Sequence, residues 1–257
     1  MSNHVISISK DKCIGCSMCV KDCPANNIRI KNKTACIISN DCVMCGHCTA
    51  VCPKGAVTIS GYEEQPAEKS REVRLNPDDV LDTIRFRRTV RQFIDKEIPD
   101  SVLQQILEAG RLTHTKKNMQ DVSFFVLKKE KSNLEHLAVN LFRKLKPFVN
   151  LFSPMSRRVE ITDSFFFFNA PEVIVIVSSS SINGALAAQN MEFAAEANGL
   201  GVLYSGFFTM AANSSRKIKK ILDLPKGKKV ITTLVLGYPK VKYHRSAQRE
   251  KLNVKYL

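Results

Sequence analysis

Eight of the nine cysteines fall into two copies of one spacing, Cys13-x2-Cys16-x2-Cys19-x3-Cys23-Pro24 and Cys42-x2-Cys45-x2-Cys48-x3-Cys52-Pro53. A [4Fe–4S] cube takes four thiolates, and three closely spaced cysteines on a tight loop can supply most of one ligand set. Zinc needs four thiolates per site and gives no reason for two runs that each close in Cys-Pro. Disulfides do not suit a chain whose opening Met1-Ser2-Asn3-His4 carries no apolar signal region. The spacing therefore points to two [4Fe–4S] clusters.

The spacing resembles that of two-cluster bacterial ferredoxins, in which the last cysteine of each run crosses to the other cluster. The resemblance implies one cluster on Cys13, Cys16, Cys19 and Cys52, and a second on Cys42, Cys45, Cys48 and Cys23. The flanks repeat as well. Ile6 and Ile8 precede the first run and Ile28 and Ile30 follow it; Ile37 and Ile38 precede the second, and Val57 and Ile59 follow it. Short strands around each loop account for this pattern. Gly15, Gly46 and Gly55 mark expected turns. Cys36 lies outside both runs and is expected to be a buried small apolar residue.

A module of this kind needs only residues 1–62, with clusters standing in for a large core. A linker is expected over 63–77, where a Gly-Tyr-Glu-Glu-Gln-Pro stretch and a charged run break the apolar pattern. The remaining residues, 78–257, are enough for a second domain. The formal net charge is +15. Two clusters with their thiolates would remove roughly 4 units of it, and the basic remainder suits acidic partners or anionic substrates. No nucleic-acid motif accompanies the charge. The most apolar stretch, Phe165 to Val177, is short and broken by Asn169, Pro171 and Glu172, so it reads as core and not as a membrane span. Oxygen-sensitive clusters and the lack of a signal imply a cytoplasmic location.

Asn76-Pro77-Asp78-Asp79 is a helix start, with an N-cap, a proline at the first position and two carboxylates at the positive end of the dipole. After it comes Arg87-Arg88-Thr89-Val90-Arg91-Gln92-Phe93. Its guanidinium forks and hydroxyl suit a phosphate dianion; by composition alone a solvated basic turn fits better.

That segment resembles the Arg-Arg-Ser-x-Arg-x-Phe signature of the nitroreductase family of FMN enzymes. Thr115-Lys116-Lys117-Asn118-Met119-Gln120 resembles the family's Ser/Thr-x-x-Asn-x-Gln flavin segment. Gly199-Leu200-Gly201 is similar to its Gly-Leu-Gly turn, and Leu236-Gly237-Tyr238-Pro239 with Tyr243, Arg245 and Arg249 to its closing strand and basic tail. The resemblance implies an α+β chain whose second domain is a three-layer α/β/α unit with a mixed sheet, forming an interlocked homodimer with FMN at the interface. It assigns the FMN phosphate and ribityl chain to Arg87, Thr89 and Arg91, with Arg88 close by. Thr115 lies in the second flavin segment, where Asn118 and Gln120 would meet the ribityl chain or ring edge. Ser205 and Gly206 would offer backbone groups to the ring, and Arg249 would reach the phosphate. The chain departs from the pattern where Gln120 is followed by Asp121-Val122 in place of Pro-Trp, and where His114 stands for the usual proline.

Two apolar runs, Pro171 to Val177 and Val230 to Leu236, read as central strands covered on both faces. Ala185 to Asn198 reads as an alanine-rich helix capped by Gly199. Ser132 to Lys146 reads as an amphipathic helix ended by Pro147, and with residues 148–164 it is expected to form a substrate lid. No Ser/His/Asp, Cys/His or paired-carboxylate constellation calls for a protein nucleophile, and no residue is assigned as a catalytic acid or base.

The expected function is two-electron reduction of a small electrophile such as a nitroaromatic or quinone, with the clusters relaying electrons to FMN. The donor would be an external acidic ferredoxin or flavodoxin, or NAD(P)H. The alternative is an electron-transfer or redox-sensing module whose partner is another redox protein.

Overall fold

The structure is a computed structural model that describes residues 4–257; Met1, Ser2 and Asn3 lie outside it. The chain divides into two compact units. The first is Met1–Arg74 with Thr115–Met119, and the second is Leu75–His114 with Gln120–Leu257.

In the first unit the expected strands form two antiparallel pairs. β1 (Ile6–Ile8) pairs with β4 (Val57–Ile59), and β2 (Ile28–Lys31) pairs with β3 (Thr34–Ile37). Asn32 and Lys33 both have positive φ, 49° and 62°, as a two-residue hairpin turn of the twist-matched type requires. α1 (Met18–Lys21) and α2 (His47–Val51) follow the first two cysteines of each run. The duplication extends to backbone conformation. Gly15, Ser17 and Asn26 are left-handed in one run, and Met44, Gly46 and Gly55 are left-handed at the equivalent places in the other. Glycine alone is free to adopt this at Gly15, where a Cβ would also lie 2.3 Å from the Lys33 carbonyl oxygen. Cys36 is half-buried, contrary to expectation, because Ala35 takes the buried position and successive strand residues face opposite ways.

The second unit is built on a four-stranded sheet of β5 (Ser123–Val126), β6 (Glu172–Ser178), β7 (Gly201–Tyr204) and β8 (Lys229–Gly237), in the order β5-β6-β8-β7. The two apolar runs are the central strands. Every pairing in this sheet is antiparallel, which corrects the expected mixed sheet. The connection from β6 to β7 skips one position, and β8 enters that gap running against both. An isolated bridge between Thr89 and Val202 is parallel.

Alternation along β6 sorts the core. Val173, Val175 and Val177 pack with α5 (Lys131–Phe152) and α8 (Gly206–Ser214). Ile174 and Ile176 face α4 (Asp100–Arg111) and α7 (Ser181–Ala197). All five are fully buried, at about 1.5–3 kcal/mol each. The result is helix, sheet and helix in three layers. The α7 helix begins before Ala185 because Ser180 caps it by accepting from the Asn183 N–H at 3.3 Å.

α5 does not stop at Pro147. Proline withholds one N–H, but the donors after it still reach carbonyls, and the helix continues to Phe152. Its first half is core, with Leu134, Ala138 and Val139 buried, whereas Phe148, Leu151 and Phe152 are exposed. α6 (Pro154–Arg158) and α9 (Arg216–Ile221) are short, and α3 (Pro77–Phe86) starts where expected, with Asn76 Oδ1 accepting from the Asp78 N–H at 2.9 Å. Its Val80, Leu81, Ile84 and Phe86 are exposed. No helix among the described residues is long and apolar enough to cross a membrane.

Candidate functional site

The two cysteine runs interleave around two cavities. One is lined by Cys42, Cys45, Cys48 and Cys23; the other is lined by Cys13, Cys16, Cys19 and Cys52. Each cavity thus takes three sulfurs from one run and the closing cysteine of the other. Among the described residues, no three His, Cys, Asp or Glu side chains are gathered to hold a single ion.

Backbone N–H groups point at the sulfurs. Ala35 donates to Cys13 Sγ at 3.4 Å, Asn27 to Cys23 Sγ at 3.3 Å, Met44 to Cys42 Sγ at 3.4 Å and Ala56 to Cys52 Sγ at 3.3 Å. Such donors stabilise thiolate charge. Burial pushes the Cys19 and Cys48 thiols up. Burial also acts on Cys52, but backbone N–H groups of Ala56, Lys54, Val57 and Gly55 outweigh it and hold that thiol low. The residues present fit an iron–sulfur cluster in each cavity.

The Arg87–Phe93 segment is strapped to the sheet of the second unit. The Val90 N–H donates to Val202 O at 3.1 Å, Ile94 N–H to Tyr238 O at 2.8 Å, and Lys240 N–H to Gln92 O at 2.9 Å. Val90 is buried over Gly201, where a Cβ would lie 2.5 Å from Val90 Cγ2. The third residue of the Gly-Leu-Gly turn is therefore what lets the strap approach β7.

Arg87 bonds through Nη1 to Glu192 of α7, and Arg88 Nη1 donates to the carbonyls of Arg85 and Arg87 at 2.9 and 2.6 Å. Arg87 Nε and Arg88 Nη2 are buried with no partner. Two orphaned guanidinium donors on one turn fit an anionic group such as the FMN phosphate. Thr89 and Arg91 are exposed, and the Tyr243 hydroxyl donates to Thr89 O at 3.3 Å, bringing the chain after β8 to the turn. Arg249 is exposed farther along that tail.

Glu192 carries no motif. Its only signal in the sequence is a carboxylate on a helix that has no basic residue. It is 2% exposed and accepts from Arg87, from Gln189 Nε2 at 2.9 Å and from the Tyr204 hydroxyl at 3.0 Å. Burial, then the Glu192 charge and its hydrogen bond, push Tyr204 well above the ordinary phenol range. Nearby Glu196 is raised by burial and by Glu192.

The other expected flavin contacts are placed differently from one another. Ser205 is buried; its N–H is used by Thr233 O at 2.8 Å and its hydroxyl by Phe166 O at 3.0 Å. Gly206 is exposed at the start of α8. Thr115 is half-buried and Asn118 belongs with it to the first unit, where Asn118 Nδ2 donates to Met44 O at 2.8 Å and Val43 O at 3.2 Å. Gln120 is exposed with a positive φ of 45°. After it, Asp121 accepts from Ser178 Oγ, Ser179 N and Oγ, and Asn183 Nδ2 at 2.6–2.9 Å, so the residue replacing the usual proline ties β5 to the start of α7. His114 is exposed.

Two family models match the chain: the nitroreductase family over residues 84–238 and a 4Fe-4S dicluster domain over residues 12–56. An NADPH-dependent oxidoreductase of Staphylococcus haemolyticus is 27% identical over 172 residues, covering 63% of this chain and 65% of the relative. An NADPH-flavin oxidoreductase of Vibrio harveyi is 27% identical over 164 residues, covering 62% and 65%. The chain thus spans just under two thirds of these two curated relatives. Among solved structures, a nitroreductase with bound FMN from Desulfitobacterium hafniense superposes with a TM-score of 0.58 at 20% identity, covering 72% of this chain and all of that one. That likeness is one of fold.

Proposed function

The chain belongs to the nitroreductase family and carries a 4Fe-4S dicluster domain, and from that premise we propose that two [4Fe–4S] clusters deliver electrons to FMN for two-electron reduction of a small electrophile such as a nitroaromatic or quinone. That it is an FMN-dependent oxidoreductase follows from the family. The observation that carries the relay is the pair of cavities, each lined by four cysteines with the closing residue exchanged between runs. Bound there, clusters supply single-electron transfer, and FMN supplies pairing of those electrons for a two-electron reduction.

The residues of the chain bind, orient and hold charge. Cys13, Cys16, Cys19 and Cys52 would hold one cluster, and Cys42, Cys45, Cys48 and Cys23 the other. The backbone donors to the sulfurs balance thiolate charge. Arg87 and Arg88 would hold the FMN phosphate through their orphaned nitrogens, with Thr89 and Arg91 beside them; Glu192 keeps Arg87 aimed. Thr115, Gln120, Gly206 and Arg249 are proposed flavin contacts from the resemblance. Tyr204 directs its proton to Glu192, and its raised pKa makes it a poor proton donor. Solvent therefore supplies the proton the product needs. Loss of turnover in Tyr204→Phe or His114→Gln with FMN still bound would contradict this.

The proposed assembly is a homodimer in the cytoplasm. Val80, Leu81, Ile84 and Phe86 of α3, together with Leu252, Val254 and Tyr256 of the tail, are exposed apolar side chains of the second unit, and a second copy would cover them. The second reading, a module serving another redox protein, is favoured by a groove lined by Lys219, Lys220, Lys226, Lys228 and Lys229 with Asp223 as the only acid. Saturable turnover of a small acceptor separates the enzyme from the module.

Anaerobic analysis of iron, acid-labile sulfide and FMN tests the proposal. About eight irons, eight sulfides and one FMN per chain, all bleached by dithionite, are expected. Clusters without flavin would leave Arg87–Arg91 an ordinary basic turn.

A further inference from the structure

The loop between Cys42 and Cys45 is fastened from a distant part of the sequence. Asn118 Nδ2 donates to Val43 O at 3.2 Å and Met44 O at 2.8 Å. The peptide that joins Val43 to Met44 carries the Val43 carbonyl on one side and the Met44 N–H on the other, as a trans peptide does. That N–H donates to Cys42 Sγ at 3.4 Å. One chain of hydrogen bonds thus runs from the Asn118 amide, through a single peptide, to a sulfur that lines the cavity. A donor on the carbonyl polarises the N–H opposite it and strengthens the bond to sulfur.

The backbone on both sides is unusual. Met44 has φ 52°, and Lys117 and Asn118 have φ 53° and 51°. Left-handed conformation is unfavourable for a side chain such as methionine and is tolerated better by asparagine. Such residues persist where surrounding contacts hold them, and Asn118 supplies those contacts to both carbonyls of the turn. The first run differs. There the donor to Cys13 Sγ is the N–H of Ala35, in the hairpin. The two cavities are therefore inequivalent, and these Asn118 bonds lie beside the one that Cys42 lines.

We propose that Asn118 is a positioning residue for the cluster held by Cys42, Cys45, Cys48 and Cys23, and that its hydrogen bond through the Val43–Met44 peptide raises that cluster's reduction potential. This inference rests on the two-cluster reading above and departs from the flavin contact that the motif implies for Asn118. Hydrogen bonds to cluster sulfurs favour the reduced, more negative state, and outer-shell partners tune a metal centre through its ligands. No residue of the proposed ligand set is altered by removing it.

Two variants test the assignment. Asn118→Gly keeps the left-handed backbone accessible and deletes the amide. Asn118→Asp keeps size and backbone preference and replaces the donor with an anionic acceptor. Both are titrated anaerobically with EPR detection, alongside iron, sulfide and FMN counts of the purified full chain. The expected result is that one cluster potential shifts to a more negative value, further in Asn118→Asp, while the other stays at its wild-type value and FMN is retained. Selective loss of one cluster's iron in both variants would support the positioning role equally. Wild-type potentials in both variants, equal shifts of both clusters, or loss of FMN with both potentials unchanged would overturn it. A wild-type chain with fewer than two clusters would instead overturn the underlying reading.

Discussion

The phenolic oxygen of Tyr204 lies 3.0 Å from Oε2 of Glu192, joining the last residue of β7 to the buried face of α7. The other carboxylate oxygen of Glu192 takes the Arg87 guanidinium. A single buried acid thereby decides where the first arginine of the basic turn points.

Glu192→Ala should destabilise the protein by about 3 kcal/mol, because it leaves Arg87 without its counter-charge in a largely desolvated place. Glu192→Gln, which can still accept one hydrogen bond, should cost less. Urea unfolding of both variants against wild type checks the order; equal stability of all three would contradict the role given to Glu192.

Arg88→Ala should leave the fold intact and weaken FMN. Removing a charge-assisted donor to phosphate costs about 1.5–3 kcal/mol, which is roughly a 10- to 100-fold rise in Kd. Quenching of flavin fluorescence on titration into apoprotein measures it. An unchanged Kd would detach the orphaned Nη2 from the cofactor.

The exchanged cysteines make a specific prediction about metal content. Cys52→Ser should empty the site that it shares with Cys13, Cys16 and Cys19, and Cys23→Ser should empty the other. Each variant should fall from about eight irons to about four, with a different EPR signal surviving in each. Loss of the same signal from both would contradict the crossed arrangement.

Asp121 is held well below the ordinary carboxylate range. Burial opposes this, and hydrogen bonds from Ser178, Ser179 and Asn183 overcome it. A depressed folded-state value means the stabilisation is fully present above the unfolded carboxylate value near 3.9 and is lost as pH falls through the folded one. Asp121→Asn should therefore be less stable than wild type by an amount that is flat from pH 8 to about 5 and narrows only below about 4. Denaturation midpoints across that range test the sign.

Much of the first unit was legible because its instructions are local. Cysteine spacing, alternating isoleucines and Gly15 all act within a few residues, and the strands and cavities follow them. What could not be read there is that Ser17, Asn26 and Met44 adopt left-handed backbone without being glycine. The equivalent loop in the other run reveals it only once both are folded. The helix past Pro147 was missed for a related reason: proline removes one hydrogen bond, and whether a helix survives that depends on the donors that follow.

In the second unit the apolar runs, the Asn76 cap and the Arg-Arg-Thr turn were readable, since burial periodicity and capping are properties of short segments. Strand order was not, and neither was the direction of β8, which is chosen by the space left between β6 and β7. Sequence alone determined the kinds of groups available: eight thiolates, a cluster of guanidinium forks and an amide at Asn118. Tertiary structure decided their partners, setting Glu192 against Arg87 and Asn118 against Met44. Hydrogen bonds and ion pairs form between whichever groups packing brings within about 3 Å, and chain separation does not encode that distance.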